Sequence, residues 1–246
     1  MNYLERMLRP RKKLYFLHIP KTAGISISDT LGKIANKRRL SMLGPMILDH
    51  LEENPKWAKS DILVGHLGLL PLDYKYDYFT VLRDPMERLF SHYSHIKRGV
   101  GHYFHKIVVE EELDFENYLL DERFARLNFN MQTRYLSSYP SLKTDQKTGN
   151  HQEQAEYFEN SDESSVNLEI AINTLDNASW VGSPASFQEL RLFLERRFAI
   201  SNIEIPVLHV RPGPAREFSV REIKAAKALI EFDQFIYDRW GAGKTQ

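Results

Sequence analysis

A short segment near the start of the chain combines residue types that bind anions. Residues 18–26 read His-Ile-Pro-Lys-Thr-Ala-Gly-Ile-Ser. Small residues such as Gly24 allow backbone N–H groups to approach an anion closely, and a helix that begins there adds partial positive charge. Lys21 adds a full positive charge, and the hydroxyls of Thr22 and Ser26 can donate hydrogen bonds. The segment predicts a phosphate-binding loop, and a simple capped turn is the alternative.

A second polar segment, residues 83–93, reads Arg-Asp-Pro-Met-Glu-Arg-Leu-Phe-Ser-His-Tyr. Arg83 follows a predicted strand, and Ser91 lies about two turns into the helix that Pro85 can begin. An arginine binds a phosphate through two parallel hydrogen bonds, and a hydroxyl can complete the shell. Asp84 is suited to cap the helix. The segment predicts a second anion site, and the alternative is a capped helix with an ordinary polar face.

The last residues resemble a Walker A nucleotide loop only in part. Residues 241–245 read Gly-Ala-Gly-Lys-Thr, but Asp238 occupies the position where the Walker pattern requires its first glycine. A helix is predicted before this segment, where the pattern requires a strand. We therefore expect a tail here. In the first segment Lys21 precedes Gly24, the reverse of the Walker order, so that phosphate loop is of another kind.

The elements that must position these residues alternate between strands and helices, which predicts an α/β fold with a parallel sheet covered by helices. Compact apolar runs predict strands at 14–19, 62–66, 78–82, 179–182 and 205–210. Helical periodicity predicts helices from Gly24, from Pro85, at 166–175 and at 187–198, two helices within 113–136 that are broken near Asp121, and a last helix from Ser219 to about Tyr237. Glu222 follows Ser219 by three residues, which predicts a capping box.

The chain reads as one domain over residues 1–246, because no repeat or boundary interrupts the pattern. Its 33 Lys and Arg balance 33 Asp and Glu, but residues 1–40 carry ten basic residues against two acidic ones. That imbalance favours an anionic ligand, although a solvated basic face is the alternative. The basic character is not sustained, so we expect no nucleic-acid partner. The polar stretch 137–165 predicts a flexible or substrate-binding loop.

Several classes of protein are excluded by residues that the chain lacks. There is no Cys, which excludes disulfide scaffolds, thiolate metal sites and cysteine nucleophiles. No apolar stretch reaches the roughly 20 residues of a membrane span, and the first residues lack the apolar core of a secretory signal. We therefore expect a cytoplasmic protein without a transmembrane segment. No spacing of His, Asp or Glu predicts a metal site.

The two anion-binding segments together resemble a known family. Pro-Lys-Thr-Ala-Gly-x-Ser after a first strand, followed by Leu-Arg-Asp-Pro-x-Glu-Arg-x-x-Ser-x-Tyr, resembles the sulfotransferases that use 3'-phosphoadenosine-5'-phosphosulfate. Within them, the chain is most similar to the carbohydrate branch that includes the hexuronic acid (heparan sulfate) 2-O-sulfotransferases. Residues 130–136, Asn-Met-Gln-Thr-Arg-Tyr-Leu, and residues 180–182, Trp-Val-Gly, also look like that branch. The resemblance runs from about Leu14 to Trp240, with the polar middle unmatched.

The resemblance implies a three-layer fold like that of P-loop NTPases, and 3'-phosphoadenosine-5'-phosphosulfate as sulfonyl donor. The residues implied to hold the 5'-phosphosulfate are Lys21, Thr22, Ala23, Gly24, Ile25 and Ser26. Arg83 and Ser91 would hold the 3'-phosphate, and the acceptor would be a hydroxyl of a carbohydrate. The family commonly has Thr or Ser where this chain has Ile25, so one hydroxyl donor worth ~0.5–1.5 kcal/mol is missing.

Transfer to a hydroxyl benefits from a general base and from a cation that neutralises charge on the departing phosphate. Lys21 is the candidate cation. His66 is the candidate base among nine histidines, because it lies at the carboxyl end of a predicted strand, where ligands bind in open α/β sheets. The Gly-His pair also resembles the base position of the 2-O-sulfotransferases. The alternative for His66 is a buried, hydrogen-bonded histidine.

The other histidines have weaker claims to that role. His18 is expected in the core or just behind the site. Four histidines lie on or after the helix that follows the third predicted strand and are expected mostly at the surface: His92, His95, His102 and His105. No context supports His50 or His151, and His209 lies in the predicted last strand.

Two arginines are further candidates for ligand binding. Arg134 could bind an acidic acceptor or the donor, and Arg211, in a loop after the predicted last strand, could close over the nucleotide. Surface ion pairs are the alternative for both.

Two other functions compete with sulfonyl transfer. A small-molecule kinase would need a Walker loop and a magnesium-binding acid, and a non-catalytic nucleotide-binding protein would tolerate Ile25. The sequence determines neither the acceptor nor the oligomeric state.

Overall fold

The computed structural model describes residues 13–46, 60–66, 68, 69, 76–137, 166–206, 208 and 216–241. A sheet of five parallel strands forms the centre of the molecule. The strands are β1 (Lys13–Leu17), β2 (Met42–Met46), β3 (Ile62–Gly65), β4 (Tyr76–Val81) and β5 (Trp180–Gly182), in the order β2-β3-β1-β4-β5. The prediction of an α/β fold with a parallel sheet is confirmed.

Helices cover both faces of this sheet. The helices in chain order are α1 (Gly24–Arg38), α2 (Pro85–Arg98), α3 (His105–Glu110), α4 (Phe115–Leu120), α5 (Glu122–Asn128), α6 (Met131–Ser137), α7 (Leu168–Asp176), α8 (Phe187–Phe198), α9 (Val220–Ala226) and α10 (Glu231–Trp240). Single 3₁₀ turns lie at Pro184–Ser186 and Lys227–Leu229.

The alternation of side chains along β1 explains the three layers. Leu14 and Phe16 point to one face and pack with apolar residues of α1 and α8. Tyr15 and Leu17 point to the other face and pack with α2 and the helices that follow it. All four side chains are at most 2% exposed. A strand covered on both faces explains why its sequence is a continuous apolar run.

Most predicted elements are found close to their predicted positions. The strands β1, β3, β4 and β5, and the helices α1, α2, α7 and α8, agree with the prediction to within about two residues, the usual scatter of element ends. Asp84 caps α2, as predicted, by accepting a hydrogen bond from the backbone of Glu87 at 2.9 Å. The predicted capping box of Ser219 and Glu222 is present at the start of α9.

Three predictions differ from the structure. Residues 113–136 form three helices, because Asn130 takes a left-handed conformation and separates α5 from α6. The last helix is divided into α9, a 3₁₀ turn and α10. The described residues of the predicted strand 205–210 belong to no strand, and the backbone N–H of Leu208 donates to the hydroxyl of Ser26 in α1.

Some expectations fall on parts of the chain that the structure does not describe. Residues 138–165, which make up nearly all of the expected loop, and residues 242–246 of the expected tail lie outside the described residues, as do Arg211, His50, His151 and His209. None of the helices among the described residues has the length and apolar character needed to span a bilayer.

Candidate functional site

Three segments that carry candidate residues leave the sheet side by side. β1 lies between β3 and β4, and Leu17 is in register with Gly65 on one side and with Thr80 on the other. Because all three strands are parallel, their carboxyl ends meet at one edge. The predicted phosphate loop (residues 18–26, called the phosphate loop below) follows β1, His66 follows β3, and Arg83 follows β4. The sheet therefore places the loop in the middle, with His66 on one side and Arg83 on the other.

The backbone of the phosphate loop takes an uncommon conformation. Lys21 and Ala23 have φ angles of 71° and 70°, the left-handed region that few non-glycine residues adopt. α1 begins immediately afterwards, has no acidic residue in its first turn, and receives no side-chain cap from Ala23. Its first N–H groups and its dipole therefore point into the loop, which is the arrangement that helix N-termini use to bind phosphate.

Gly24 is required by the close approach of a histidine ring. A Cβ added at Gly24 would lie 1.6 Å from Nε2 of His18, so any larger residue would displace the ring or the loop. The His18 ring stacks on Phe16 with centroids 5.1 Å apart, and it lies 4.1 Å from the ring of His66. Burial lowers the pKa of His18 well below its usual value, and the charges of His66 and Lys21 lower it further. His18 is therefore a neutral support beneath the loop.

The hydroxyls of the loop have specific partners inside the protein. Thr22 is fully buried and donates to the carbonyl of Ile19 at 2.8 Å, so its proton is already used within the loop. Ser26 is 2% exposed, and its oxygen accepts from the backbone of Leu208 at 3.0 Å, which leaves its proton to donate elsewhere. Ile25 is 57% exposed. An anion in the loop would therefore rely on backbone N–H groups, Ser26 and Lys21.

The two segments that were predicted to bind anions are in direct contact. Nη1 of Arg83 donates to the carbonyl of Lys21 at 3.3 Å, and Nη2 lies 3.3 Å from the carboxylate of Glu87. Burial lowers the pKa of Lys21 to about 8, and the charges of Arg83, Arg98 and Arg88 contribute to the same shift. This concentration of positive charge opposes protonation of Lys21 and favours an anion beside it.

Ser91 lies on the same helix as Glu87, four residues further on, so the two residues share one face of α2. Ser91 is half-buried. The structure therefore places Arg83, Glu87 and Ser91 along one line that starts at the phosphate loop.

The main chain fixes the orientation of His66. Its Nδ1 lies 2.8 Å from the carbonyl oxygen of His18. A carbonyl can only accept, so Nδ1 carries the hydrogen and the lone pair of the neutral ring is on Nε2. The backbone after His66 is anchored to β1, because the hydroxyl of Tyr15 donates to the carbonyl of Gly68 at 2.9 Å. His66 itself is half-buried.

Two further residues of the second segment are buried. His92, which was expected near the surface, is 8% exposed, and its Nδ1 lies within 3.1 Å of both the Asn128 side chain and the Tyr118 hydroxyl. Burial, with the charge of Arg88, lowers the pKa of His92 well below its usual value. Arg88 is fully buried and donates to Asn128 at 3.0 Å. Both side chains hold helices together behind the site.

Arg134, the candidate for binding an acceptor, is 3% exposed. Its Nη2 donates to the carbonyls of Arg126 at 2.9 Å and Phe129 at 2.7 Å. It thereby satisfies carbonyl groups at the end of α5. Its burial favours this structural role over contact with an acceptor.

Sequence reasoning missed the residues that support the site from behind. Gln132 binds both backbone groups of Arg83, and Asp233 in α10 accepts from the backbone of Gln132. Tyr15 holds the backbone after His66. The sequence contains a signal for Tyr15, because a tyrosine in a buried strand has a hydroxyl that needs a hydrogen-bond partner inside the protein. No local pattern relates Asp233 to residues one hundred positions earlier.

One comparison with known proteins bears on this geometry. Residues 5–126 match a family model described as the Sulfotransferase family. The match supports a sulfotransferase family for this chain. A search of curated proteins finds no match.

The part that matches the sulfotransferase family contains the whole strand-end arrangement: the phosphate loop, His66, Arg83 and Ser91. It ends before α6 and therefore does not cover Gln132 or Arg134. The central parallel sheet with helices on both faces is consistent with the P-loop-like fold of sulfotransferases. Among the residues that the structure describes, no group of three or more His, Asp or Glu side chains is arranged to hold a metal ion.

Proposed function

We propose that this protein transfers a sulfonyl group from 3'-phosphoadenosine-5'-phosphosulfate to a hydroxyl group. The observation that carries the proposal is the contact between Arg83 and the Lys21 carbonyl, which joins two cationic segments into one site with His66 beside it. A ligand that suits this site carries two separate anionic groups and leaves room for an acceptor near His66. The match to the sulfotransferase family supports the same ligand.

The residues present fit such a donor. The uncapped start of α1, the amine of Lys21 and the Ser26 hydroxyl would hold its 5'-phosphosulfate. Ala23 and Gly24 would contribute backbone N–H groups. The Thr22 hydroxyl already donates to the Ile19 carbonyl, and the Ile25 side chain has no hydroxyl to donate. Arg83 and Ser91 would hold the 3'-phosphate. Arg211 remains a candidate for the nucleotide that lies outside the described residues.

The reaction requires one bond to form and one to break at sulfur. When bound, the donor supplies a sulfonyl group whose bond to the bridging phosphate oxygen breaks as the acceptor oxygen bonds to sulfur. The Nε2 lone pair of His66 takes the proton of the acceptor hydroxyl. The His18 carbonyl stabilises the imidazolium that results, because it accepts from Nδ1. Lys21 stabilises the negative charge that develops on the departing bisphosphate.

A carbohydrate is the acceptor that we propose, and this part of the proposal depends on the resemblance to the carbohydrate branch. Because Arg134 is buried, the acceptor would be bound by side chains near His66. The cytoplasmic location stays a prediction from the sequence.

The proposal is tested by incubating the protein with donor carrying radioactive sulfate and a panel of sugar, phenol and amine acceptors. We expect label on a hydroxyl-bearing acceptor, and no label with Lys21→Ala. Calorimetry with 3'-phosphoadenosine 5'-phosphate gives a second measurement that needs no acceptor. The proposal fails if this bisphosphate does not bind, and a kinase gains support if label moves from γ-labelled ATP instead.

A further inference from the structure

Gln132 makes an unusual pair of contacts with the main chain of Arg83. Its Oε1 accepts from the Arg83 N–H at 2.9 Å, and its Nε2 donates to the Arg83 carbonyl at 2.9 Å. A backbone N–H can only donate and a carbonyl can only accept, so one orientation of the amide satisfies both. The Gln132 side chain thus pairs with Arg83 as a neighbouring strand would, directly after β4 ends.

The Gln132 side chain is itself held firmly. It is fully buried, and its own backbone N–H donates to Asp233 at 3.0 Å. The neighbouring Thr133 gives the same carboxylate two more hydrogen bonds, at 2.7 and 2.8 Å. In return, Asn130 accepts from the backbone of Phe232 and Asp233. The N-termini of α6 and α10 therefore cap one another, and this pair of helices forms a rigid base for Gln132.

The contacts of Arg83 show why a firm support for Gln132 matters. The Arg83 side chain is 31% exposed, and its guanidinium has two contacts at 3.3 Å, which is long for charge-assisted hydrogen bonds. The side chain alone is therefore weakly fixed, and its direction depends on where the backbone of Arg83 is held. Gln132 supplies that constraint from a helix outside the two anion-binding segments.

We propose that Gln132 is a positioning residue for the 3'-phosphate: it aims Arg83 by binding both backbone groups of that residue. The inference rests on the proposed function, in which Arg83 binds the 3'-phosphate. It assigns part of the donor site to α6, and through Asp233 to α10, whereas the family match covers neither helix. The contribution of Gln132 is expected only for ligands that carry the phosphate Arg83 would bind.

The test compares two nucleotides that differ in one group, 3'-phosphoadenosine 5'-phosphate and adenosine 5'-monophosphate. Gln132→Met keeps the volume of the side chain and removes both hydrogen bonds. Calorimetry should show that it weakens bisphosphate binding by about tenfold, the effect of losing one charge-assisted hydrogen bond. Binding of the monophosphate should change by no more than about twofold.

Thr174→Val is the matched control. Thr174, in α7, is also buried, and its hydroxyl donates to the carbonyl of Leu136, in the same helix as Gln132, and to that of Ile170. This variant should lower stability while leaving both affinities unchanged. If Gln132→Met does not fold, Gln132→Asn keeps the amide one methylene shorter and should show the same selective loss, smaller in size. Arg83→Ala should abolish the effect of the Gln132 substitution, because the residues act as a unit.

The outcomes separate this inference from the proposed function. If the native protein binds both nucleotides equally well, the 3'-phosphate site is refuted and the role of Gln132 with it. If the native protein prefers the bisphosphate and Arg83→Ala abolishes that preference, the site stands. In that case, an equal loss for both nucleotides in Gln132→Met, or no loss for either, overturns the positioning role alone.

Discussion

At the scale of single residues, the charge state of Lys21 provides a test of the proposed donor site. Burial and the neighbouring arginines lower its pKa to about 8 in the free protein. An anion beside the amine favours the charged form and raises that pKa. Above pH 8 the Lys21 amine is mostly deprotonated in the free protein, whereas it would stay protonated in the complex with an anion. Binding of 3'-phosphoadenosine 5'-phosphate should therefore take up a proton, and its affinity should fall as the pH rises through this range.

Calorimetry in two buffers with different ionisation enthalpies measures the proton uptake directly. We expect uptake at about pH 8.5 and little at about pH 7, where the amine is already charged. Lys21→Arg is the control, because a guanidinium stays charged at both values and should remove the uptake. Equal uptake in Lys21→Arg would assign the proton to another group.

His66 is expected to contribute to turnover and not to donor binding. Removing a general base lowers the rate about 10²–10⁴-fold. His66→Ala should therefore reduce the turnover of sulfonyl transfer by that factor, while affinity for the bisphosphate stays within about threefold, a change below 1 kcal/mol. The measurement is steady-state turnover together with calorimetric titration.

His105→Ala is a close control for His66→Ala. Nδ1 of His105 also contacts a backbone carbonyl, that of Ile96 at 2.9 Å, and the residue is also half-buried, but it lies at the start of α3. Loss of a structural hydrogen bond alone would affect both variants similarly. Full turnover in folded His66→Ala protein would exclude His66 as the base.

At the scale of elements, the start of α1 depends on the contact between Gly24 and the His18 ring. Gly24→Ala should overpack this contact and destabilise the protein by about 1–3 kcal/mol. Gly32 lies in the same helix, and a Cβ added there meets no atom within 4 Å. Gly32→Ala should instead stabilise by roughly 0.5–1 kcal/mol, because alanine favours a helix interior. Urea denaturation measures both changes.

The two glycine variants also differ in what they do to the site. Displacement of the His18 ring should alter the phosphate loop, so Gly24→Ala should weaken bisphosphate binding while Gly32→Ala leaves it unchanged. Equal stability of the two variants would show that the loop accommodates a methyl group, in contradiction to the 1.6 Å approach.

The elements that could be predicted are those whose own residues determine them. β1 is an apolar run ended by Pro20, and α8 has a regular apolar stripe. Other elements depend on distant contacts. Asn130 divides α5 from α6, and its side chain caps α10. β2 was not predicted, because it contains Gly44 and Pro45, which strands disfavour except at a sheet edge, where β2 lies.

At the scale of the whole molecule, the candidate site could be predicted in part because its residues follow strands. A parallel sheet brings the carboxyl ends of its strands together, so residues after β1, β3 and β4 meet wherever these strands are neighbours. The order of the strands, with β1 between the other two, is a property of the fold and not of any local pattern. The supporting contacts of Gln132 and Asp233 likewise depend on how α6 and α10 pack.

The site as a whole should distinguish two classes of nucleotide. In the proposed site, Arg83 and the phosphate loop would bind two separate anionic groups, as in 3'-phosphoadenosine 5'-phosphate, and a linear triphosphate with magnesium would fit this pair less well. A ligand at 100 times its dissociation constant stabilises a protein by ~2.7 kcal/mol. For a chain of this size the bisphosphate should raise the melting temperature by about 5–10 °C, and ATP with magnesium should raise it far less.

Thermal denaturation followed by circular dichroism measures these shifts, with Arg83→Ala as the control. That variant should lose most of the shift caused by the bisphosphate, because the remaining loop would bind only one of its two phosphates. A larger shift with ATP and magnesium than with the bisphosphate would favour the alternative function, a small-molecule kinase. The preferred ligand would then lack the two separate anionic groups for which the two cationic segments are proposed. Equal shifts in native protein and in Arg83→Ala would instead mean that the second segment does not bind phosphate.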